Sequence, residues 1–273
     1  MKTVADPLRM QRQAFRWRAE GRKVALVPTM GALHAGHAEL IRVARRRAGR
    51  TGRVIVSIYV NPTQFAPTED LGLYPRPRRA DAALCRKLGV DVLFAPGSLY
   101  ASDHSTWVVE ETVSQGRDGG SRPVHFQGVA TVVTKLFWLT LPHFACFGRK
   151  DAQQLDVVNR LVRDLDIPVE IIPVEIVRDR DGLALSSRNV YLSDLERNHA
   201  LALPLLLQAA AAQRDPETWL RTHLAKAPGL KLDYVTMAGA RLCAAVWAGK
   251  TRLIDNLPLP ARVKETGRTG KTR

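Results

Sequence analysis

Val24-Ala25-Leu26-Val27-Pro28-Thr29-Met30-Gly31-Ala32-Leu33-His34-Ala35-Gly36-His37 begins with four apolar residues, breaks at a proline and a glycine, and runs into a segment of helical period. A buried strand, a glycine-bearing turn and a helix, in that order, form the βα unit of a parallel sheet. Glycines at such a junction let backbone approach a ligand, and the free amides of a helix start favour an anion there. Two imidazoles three residues apart then face one phosphate group, with hydrogen bonds that strengthen as negative charge moves onto a leaving pyrophosphate. By itself an H-x-x-H pair describes a metal pair or two unrelated surface histidines equally well. The glycines and the strand-to-helix setting favour the phosphate.

Outward from this segment the pattern repeats. Strands are predicted near residues 24–27, 54–60, 90–94, 144–147 and 169–172, and helices near 37–48, 80–88, 129–139 and 151–165. Apolar, β-branched runs alternating with helical segments give an α/β fold class with a parallel sheet, whose ligands gather at the carboxyl ends of the strands. After Ile172 the pattern changes to a turn-rich piece, an Ala/Leu-rich helical stretch over 194–213, and short strands near 230–237, 242–247 and 251–254. The expected division is a first domain over 1–176 and a smaller α+β domain over 177–273, with a basic, disordered tail from about residue 262.

The chain has 273 residues, 45% of them hydrophobic and 25% charged, as in ordinary globular proteins. Lys135, Pro142 and Pro204 interrupt its longest apolar tracts, so none reaches the roughly 20 residues of a spanning helix. No apolar core follows the N-terminal arginines to make a secretory signal, and a cytoplasmic location is expected. Cys85, Cys146 and Cys243 are an odd number at wide spacing with apolar neighbours, which reads as small core residues rather than disulfides or a zinc site. The 41 Lys+Arg against 26 Asp+Glu give a net charge of +15. Charge of this size attracts polyanions or an anionic substrate. Without a nucleic-acid-reading motif, it is taken as a solvated basic face.

Four further segments fall where strands should meet loops. Ala184-Leu185-Ser186-Ser187-Arg188-Asn189 pairs short hydroxyl donors with a permanent cation, the makings of a phosphate clamp, although such a triplet alone is an ordinary loop. Phe147-Gly148-Arg149-Lys150-Asp151-Ala152-Gln153-Gln154 ends a strand: Gly148 permits close approach, Lys150 offers a mobile cation, and Asp151 suits either a helix cap or ribose hydroxyls. Asn61-Pro62-Thr63-Gln64 brings two amides suited to the hydroxyls and carboxylate of a small polar acid, or simply makes a turn. Tyr74 and Asp81 complete that site or serve as loop and helix-start residues. Arg122 and His125 lie in a predicted loop that meets an anion, or His125 is a satisfied residue at a helix start.

In this order and spacing, these elements resemble the pantothenate synthetase family from about residue 20 to residue 193, within the wider H-x-G-H nucleotidyltransferases. The resemblance implies a Rossmann-like domain that binds ATP and pantoate, a C-terminal lid, a homodimer, and ATP with Mg2+. It implies that pantoate is adenylated, with loss of pyrophosphate, and that β-alanine then displaces AMP. Carried over residue by residue, His34, His37, Lys150 and Arg188 are catalytic, with Ser186 and Ser187 also on the triphosphate. Gly148 and Asp151 receive the ribose, and Val177 and Leu185 flank adenine. Gln64, Gln154 and Met30 hold pantoate, with Met30 also beside ATP. Asn61, Tyr74, Arg122 and His125 lie near the β-alanine region, and Asp81 is a candidate metal ligand. The chain departs from the family at Arg149, where a glutamate is usual, at Leu185 in place of methionine, at Ala80, and in a shorter connection in the C-terminal part. Two rivals are an adenylyltransferase that leaves its nucleotide on the product and a nucleic-acid-binding protein reusing the scaffold; the amides at Asn61 and Gln64 argue against the first.

Overall fold

The computed structural model describes residues 1–67, 69 and 71–259, so the tail expected from about residue 262 lies outside the described residues. Elements of the first part are β1 (Lys2–Val4), α1 (Pro7–Ala19), β2 (Val24–Thr29), α2 (Ala35–Ala48), β3 (Arg53–Ile58), α3 (Arg78–Lys87), β4 (Val92–Phe94), α4 (Arg117–Ser121), α5 (His125–Thr140), β5 (Phe144–Gly148), α6 (Ala152–Asp164) and β6 (Glu170–Val174). The six strands form one parallel sheet in the order β1-β4-β3-β2-β5-β6.

Strand residues alternate between two apolar layers because successive side chains point to opposite faces. Val24, Leu26 and Ile55 join one layer with Met10, Trp17, Phe126 and Val157 of α1, α5 and α6. Ala25, Val27, Val54 and Val56 join the other with Ile41, Ala44 and Cys85 of α2 and α3. A sheet buried on both faces explains why these strands read as continuous apolar runs. From β2 the order proceeds to β3 on one side and to β5 on the other. The crevice between the ends of β2 and β5 is therefore the switch point at which such sheets bind ligands.

The second part holds α7 (Asp194–Ala200), α8 (Ala202–Ala210), α9 (Pro216–Leu224) and an antiparallel sheet of β7 (Leu230–Ala238), β8 (Arg241–Ala248) and β9 (Thr251–Pro258). Leu203, Leu207, Leu220 and Leu224 pack on Leu242, Ala244 and Val246 in a core of its own. The α/β class, with a smaller α+β unit following the sheet, is as expected.

Several boundaries differ for identifiable reasons. The strand expected over 54–60 ends at Ile58, opposite Thr29, where β2 itself runs out. The helix expected over 129–139 starts at His125, four residues early, because Gly128 is a packing glycine and not a breaker: a Cβ there would lie 2.4 Å from the Thr63 carbonyl oxygen. β1 is three residues long and too short to show a period. α1 and α9 were also not predicted, although Asp6-Pro7 and Asp215-Pro216 are N-cap and first-turn signals, and both aspartates do cap their helices.

Candidate functional site

The turn after β2 is fixed by main-chain bonds to one carboxylate. Asp81, buried in the first turn of α3, accepts from the backbone N–H groups of Ala32 at 3.0 Å and Leu33 at 2.8 Å. Gly31 takes a left-handed φ of 91°, and a Cβ there would lie 3.0 Å from Ile58 and 3.1 Å from Asp81. Both Asp81 oxygens thus hold the turn. Among the described residues no group of three or more His, Cys, Asp or Glu side chains gathers to hold a metal.

The turn delivers His34 to the N-cap of α2, where the two imidazoles form a reciprocal box. Gly36 N–H donates to His34 Nδ1 at 3.2 Å, and His34 N–H donates to His37 Nδ1 at 3.2 Å. A nitrogen that accepts from an amide carries no proton, so in the neutral ring the proton lies on Nε2. Burial is the largest cause holding both rings neutral, lowering His34 to about 4 and His37 to about 3, helped by the Lys150 charge for His34 and by its neighbour His34 for His37. The rings lie 4.1 Å apart. Gly36 has to be glycine here, since an added Cβ would lie 2.9 Å from the His34 ring. The sequence reading took the glycines of this junction as letting backbone approach a ligand, not as room for an imidazole.

Across the switch point, β5 ends at Gly148, where an added Cβ would meet nothing within 4 Å. Lys150 and Asp151 follow, 3.8 Å apart as an ion pair. Asp151 occupies the N-cap of α6 without making a side-chain cap bond, so capping is not its task. Arg149 pairs with Glu175 at 2.7 Å, which offsets the extra charge noted in the sequence.

The wall facing these residues comes from the segment between the two sheets. An isolated bridge between Arg178 and Ala184, with Leu185 N–H donating to Val177 carbonyl at 3.0 Å, sets Val177 and Leu185 side by side. Ser186 Oγ accepts from Arg188 N–H at 3.2 Å, and Ser187 Oγ meets the Tyr74 hydroxyl at 3.1 Å. The Arg188 guanidinium lies 6.0 Å from the Tyr74 ring.

Together these walls form a cleft of about 230 Å³, open to solvent and lined by Met30, His34, His37, Gln64, Tyr74, Arg122, His125, Gly148, Lys150, Asp151, Gln154, Val177, Leu185, Ser186, Ser187 and Arg188. The cleft also takes in Thr29, Tyr59 and Glu175, to which the sequence reading gave no role of their own.

Two expected cleft residues have other roles. Asn61 is fully buried and absent from the lining: its Nδ2 donates to Gln64 Oε1 and to Gly128 carbonyl, both at 3.1 Å, so it orients Gln64. His125 opens α5 instead of lying in a loop. Arg122 can only donate to His125 Nε2 at 3.3 Å, which leaves His125 Nδ1 to donate to Gln64 carbonyl at 3.0 Å. Burial first and the Arg122 charge second lower His125 to about 4, so it is a satisfied neutral residue and not an anion contact. Arg122 itself grips Glu69 through two bonds of 2.7 and 2.8 Å.

A family model described as pantoate-beta-alanine ligase matches residues 2–258. The chain is similar to a pantothenate synthetase of Nitratidesulfovibrio vulgaris, 47% identical over 95% of this chain and 99% of the relative. It is 48% identical to one of Anaeromyxobacter dehalogenans, over 95% and 100% of the two chains. Among solved structures, pantothenate synthetase from Thermus thermophilus superposes with a TM-score of 0.87 at 42% identity, covering 95% of this chain and 100% of that one. The Francisella tularensis pantoate-beta-alanine ligase, complexed with beta-gamma ATP and beta-alanine, does so with 0.83 at 33%, covering 94% and 97%.

Proposed function

The chain belongs to the pantoate–β-alanine ligase family, and from that membership we propose how its cleft carries the reaction. The enzyme is an ATP-dependent ligase that condenses pantoate with β-alanine to give pantothenate, releasing AMP and pyrophosphate. The triphosphate lies between the His34 and His37 Nε2–H donors on one wall and Lys150, Ser186, Ser187 and Arg188 on the other. The ribose rests against Gly148 and Asp151, and adenine between Val177 and Leu185. Pantoate lies on Gln64 and Gln154 beside Met30, with β-alanine entering near Tyr74 and Arg122.

In the first step the pantoate carboxylate attacks the α-phosphorus and pyrophosphate leaves. Two imidazole N–H donors and two cations meet the charge that develops. In the second step the β-alanine amine attacks the acyl carbon of pantoyl adenylate, and AMP leaves with the electron pair of the broken C–O bond. No covalent bond to the protein is needed, so orientation and fixed charge supply the catalysis. Mg2+ accompanying ATP would offset the charge of its phosphates. The C-terminal part, from a boundary near residue 177, acts as the lid. The working form is a cytoplasmic homodimer, for which the exposed Leu8, Phe15 and Trp138 of α1 and α5 supply apolar surface.

The observation that carries this reading is the reciprocal His34–His37 box facing Lys150 across the crevice. Its test is turnover of purified protein with ATP, pantoate and β-alanine. AMP and pantothenate should form together, and Lys150→Ala should slow their formation about 100-fold or more without changing the thermal midpoint. Near-normal rates for Lys150→Ala would remove the phosphate-site assignment.

A further inference from the structure

Strand β9 lies outside the cleft lining, yet two consecutive buried residues in it reach both phosphate-gripping loops. Asp255 and Asn256 are each only 2% exposed. Neighbouring strand residues project to opposite faces, so one strand can hold two segments at once. Asp255 takes a two-pronged contact from Arg178, with Nη1 at 2.6 Å from Oδ2 and Nη2 at 3.0 Å from Oδ1. Arg178 Nη1 also donates to Gly182 carbonyl at 3.1 Å, closing the turn that leads into Leu185, Ser186 and Ser187.

Asn256 does the corresponding work for the other loop. Its Nδ2 donates to the carbonyl oxygens of Arg149 at 2.9 Å and Lys150 at 3.0 Å. The orientation of this amide is unambiguous, because Arg241 Nε donates to Asn256 Oδ1 at 2.7 Å and an arginine can only donate. Asp255 Oδ1 takes the Asn256 backbone N–H at 2.8 Å, joining the two anchors. The carbonyls of Arg149 and Lys150 belong to the loop between β5 and α6, and among the described residues no turn or loop N–H donates to them. The peptide that carries Lys150 is thus fixed by a side chain from the C-terminal sheet.

We propose that Asn256 is a positioning residue for the adenylation step: through its two amide hydrogens it sets the Lys150 peptide, and with Asp255 it fixes the separation between Lys150 and the Ser186–Arg188 segment. The inference rests on the role assigned above to Lys150. It confines the effect of Asn256 to the step in which the triphosphate is held. The attack of β-alanine on the finished adenylate no longer involves pyrophosphate or Lys150; a shift of Gly148 and Asp151 changes only the adenylate concentration needed for saturation, so that step is measured with saturating adenylate.

The test uses the isosteric Asn256→Asp, which keeps shape and the acceptor for Arg241 but replaces the two donated bonds by repulsion between a carboxylate and two carbonyl oxygens. Two rates are measured: pantoate-dependent release of pyrophosphate from ATP, and reaction of β-alanine with pre-formed pantoyl adenylate. The first should fall about 100-fold, as for a reacting group displaced by about 1 Å, while the second is unchanged. In the double variant with Lys150→Ala, adding Asn256→Asp should cause no further loss, since the two act as one unit. Equal slowing of both steps, or additive losses in the double variant, overturns the proposal. A normal first step in Lys150→Ala alone identifies failure of the phosphate-site reading instead. Should Asn256→Asp not fold, Arg241→Gln, which leaves the amide in place but frees it to turn, decides by the same pair of rates: slowing confined to the first step supports the proposal, and slowing of both sinks it.

Discussion

The two walls of the cleft are held by different kinds of force. The histidine wall grows from the middle of the parallel sheet, where Val24 to Val27 are fully buried and both faces are covered by helices. Its turn is tied to α3 by both oxygens of Asp81. The serine–arginine wall comes from the irregular segment after β6, and its apolar footing is short: Leu183, buried in the core of the C-terminal part, and Ala184. Its position depends on a few directional bonds: Leu185 to Val177, Arg178 to Asp255, and Tyr74 to Ser187. Apolar burial is distributed over many contacts, whereas each polar tie is one bond whose loss moves what it held. The comparison teaches that one side of the site is a reference surface and the other is adjustable, which is what a cleft needs if it must admit ATP and then close on it.

The largest effect should come from disturbing the reference wall without weakening it. Gly36→Ala inserts a methyl 2.9 Å from the His34 ring and expels it from its capping bond. The better helix former contributes at most about 1 kcal/mol, which roughly offsets the about 1 kcal/mol lost with the N-cap bond. Adenylation should drop about 10²–10³-fold, as for loss of a transition-state donor, while the melting temperature holds. Full activity in Gly36→Ala would mean that the His34 ring can stand elsewhere and still work.

Acid should act on the same wall. The unfolded chain binds protons at its histidines near the ordinary 6.5, whereas folded His34 and His37 bind them only near 4 and 3. Between those values the unfolded state carries more protons, so stability rises with pH, is complete above about 6.5, and is lost as pH falls toward 4. His34 alone contributes on the order of 3 kcal/mol, since each pH unit between its folded and unfolded titrations is worth about 1.4 kcal/mol. Buried His125 adds a loss of the same sign, so denaturant titrations from pH 7 to pH 4 are compared with those of His34→Gln; an equal pH dependence in the variant would show the His34 imidazole to be hydrated.

The smallest effect belongs to the adjustable wall. Tyr74→Phe removes the hydroxyl contact to Ser187 at 3.1 Å and nothing of the ring packing against Phe65. An exchange of one neutral hydrogen bond is worth about 1 kcal/mol, so the KM for ATP should rise roughly fivefold with kcat little altered. A loss as large as that of Gly36→Ala would mean that the two walls are equally rigid.

The same division explains what could be read from sequence. The α/β class and the histidine turn were legible because strand period, glycines and imidazoles stand side by side in 14 residues. The Ser186–Arg188 segment was legible as chemistry, but its placement opposite Lys150 entered only through resemblance to a family, since nothing local says where a loop of this kind will lie. Asp81, Asn61 and His125 were assigned toward ligands because acidic, amide and imidazole groups near a site invite it. Their actual partners are backbone groups at Ala32, Leu33, Gly128 and Gln64, and a sequence does not display which main-chain groups lack a partner. Asn256 shows the converse, since a polar residue inside a short antiparallel strand carries no mark of the distant carbonyls it serves.

The capping box has one more consequence, for chemical selectivity. In the proposed placement of the substrates, the mixed anhydride pantoyl adenylate forms within reach of two imidazoles, and imidazole is ordinarily a competent acyl acceptor. An imidazole attacks through the in-plane lone pair of its unprotonated nitrogen, and in His34 and His37 that nitrogen is Nδ1, already engaged by a backbone amide. The face turned to the substrate offers only N–H. The bonds that aim these side chains as donors also disarm them as nucleophiles, so the activated acyl group is kept for the amine of β-alanine.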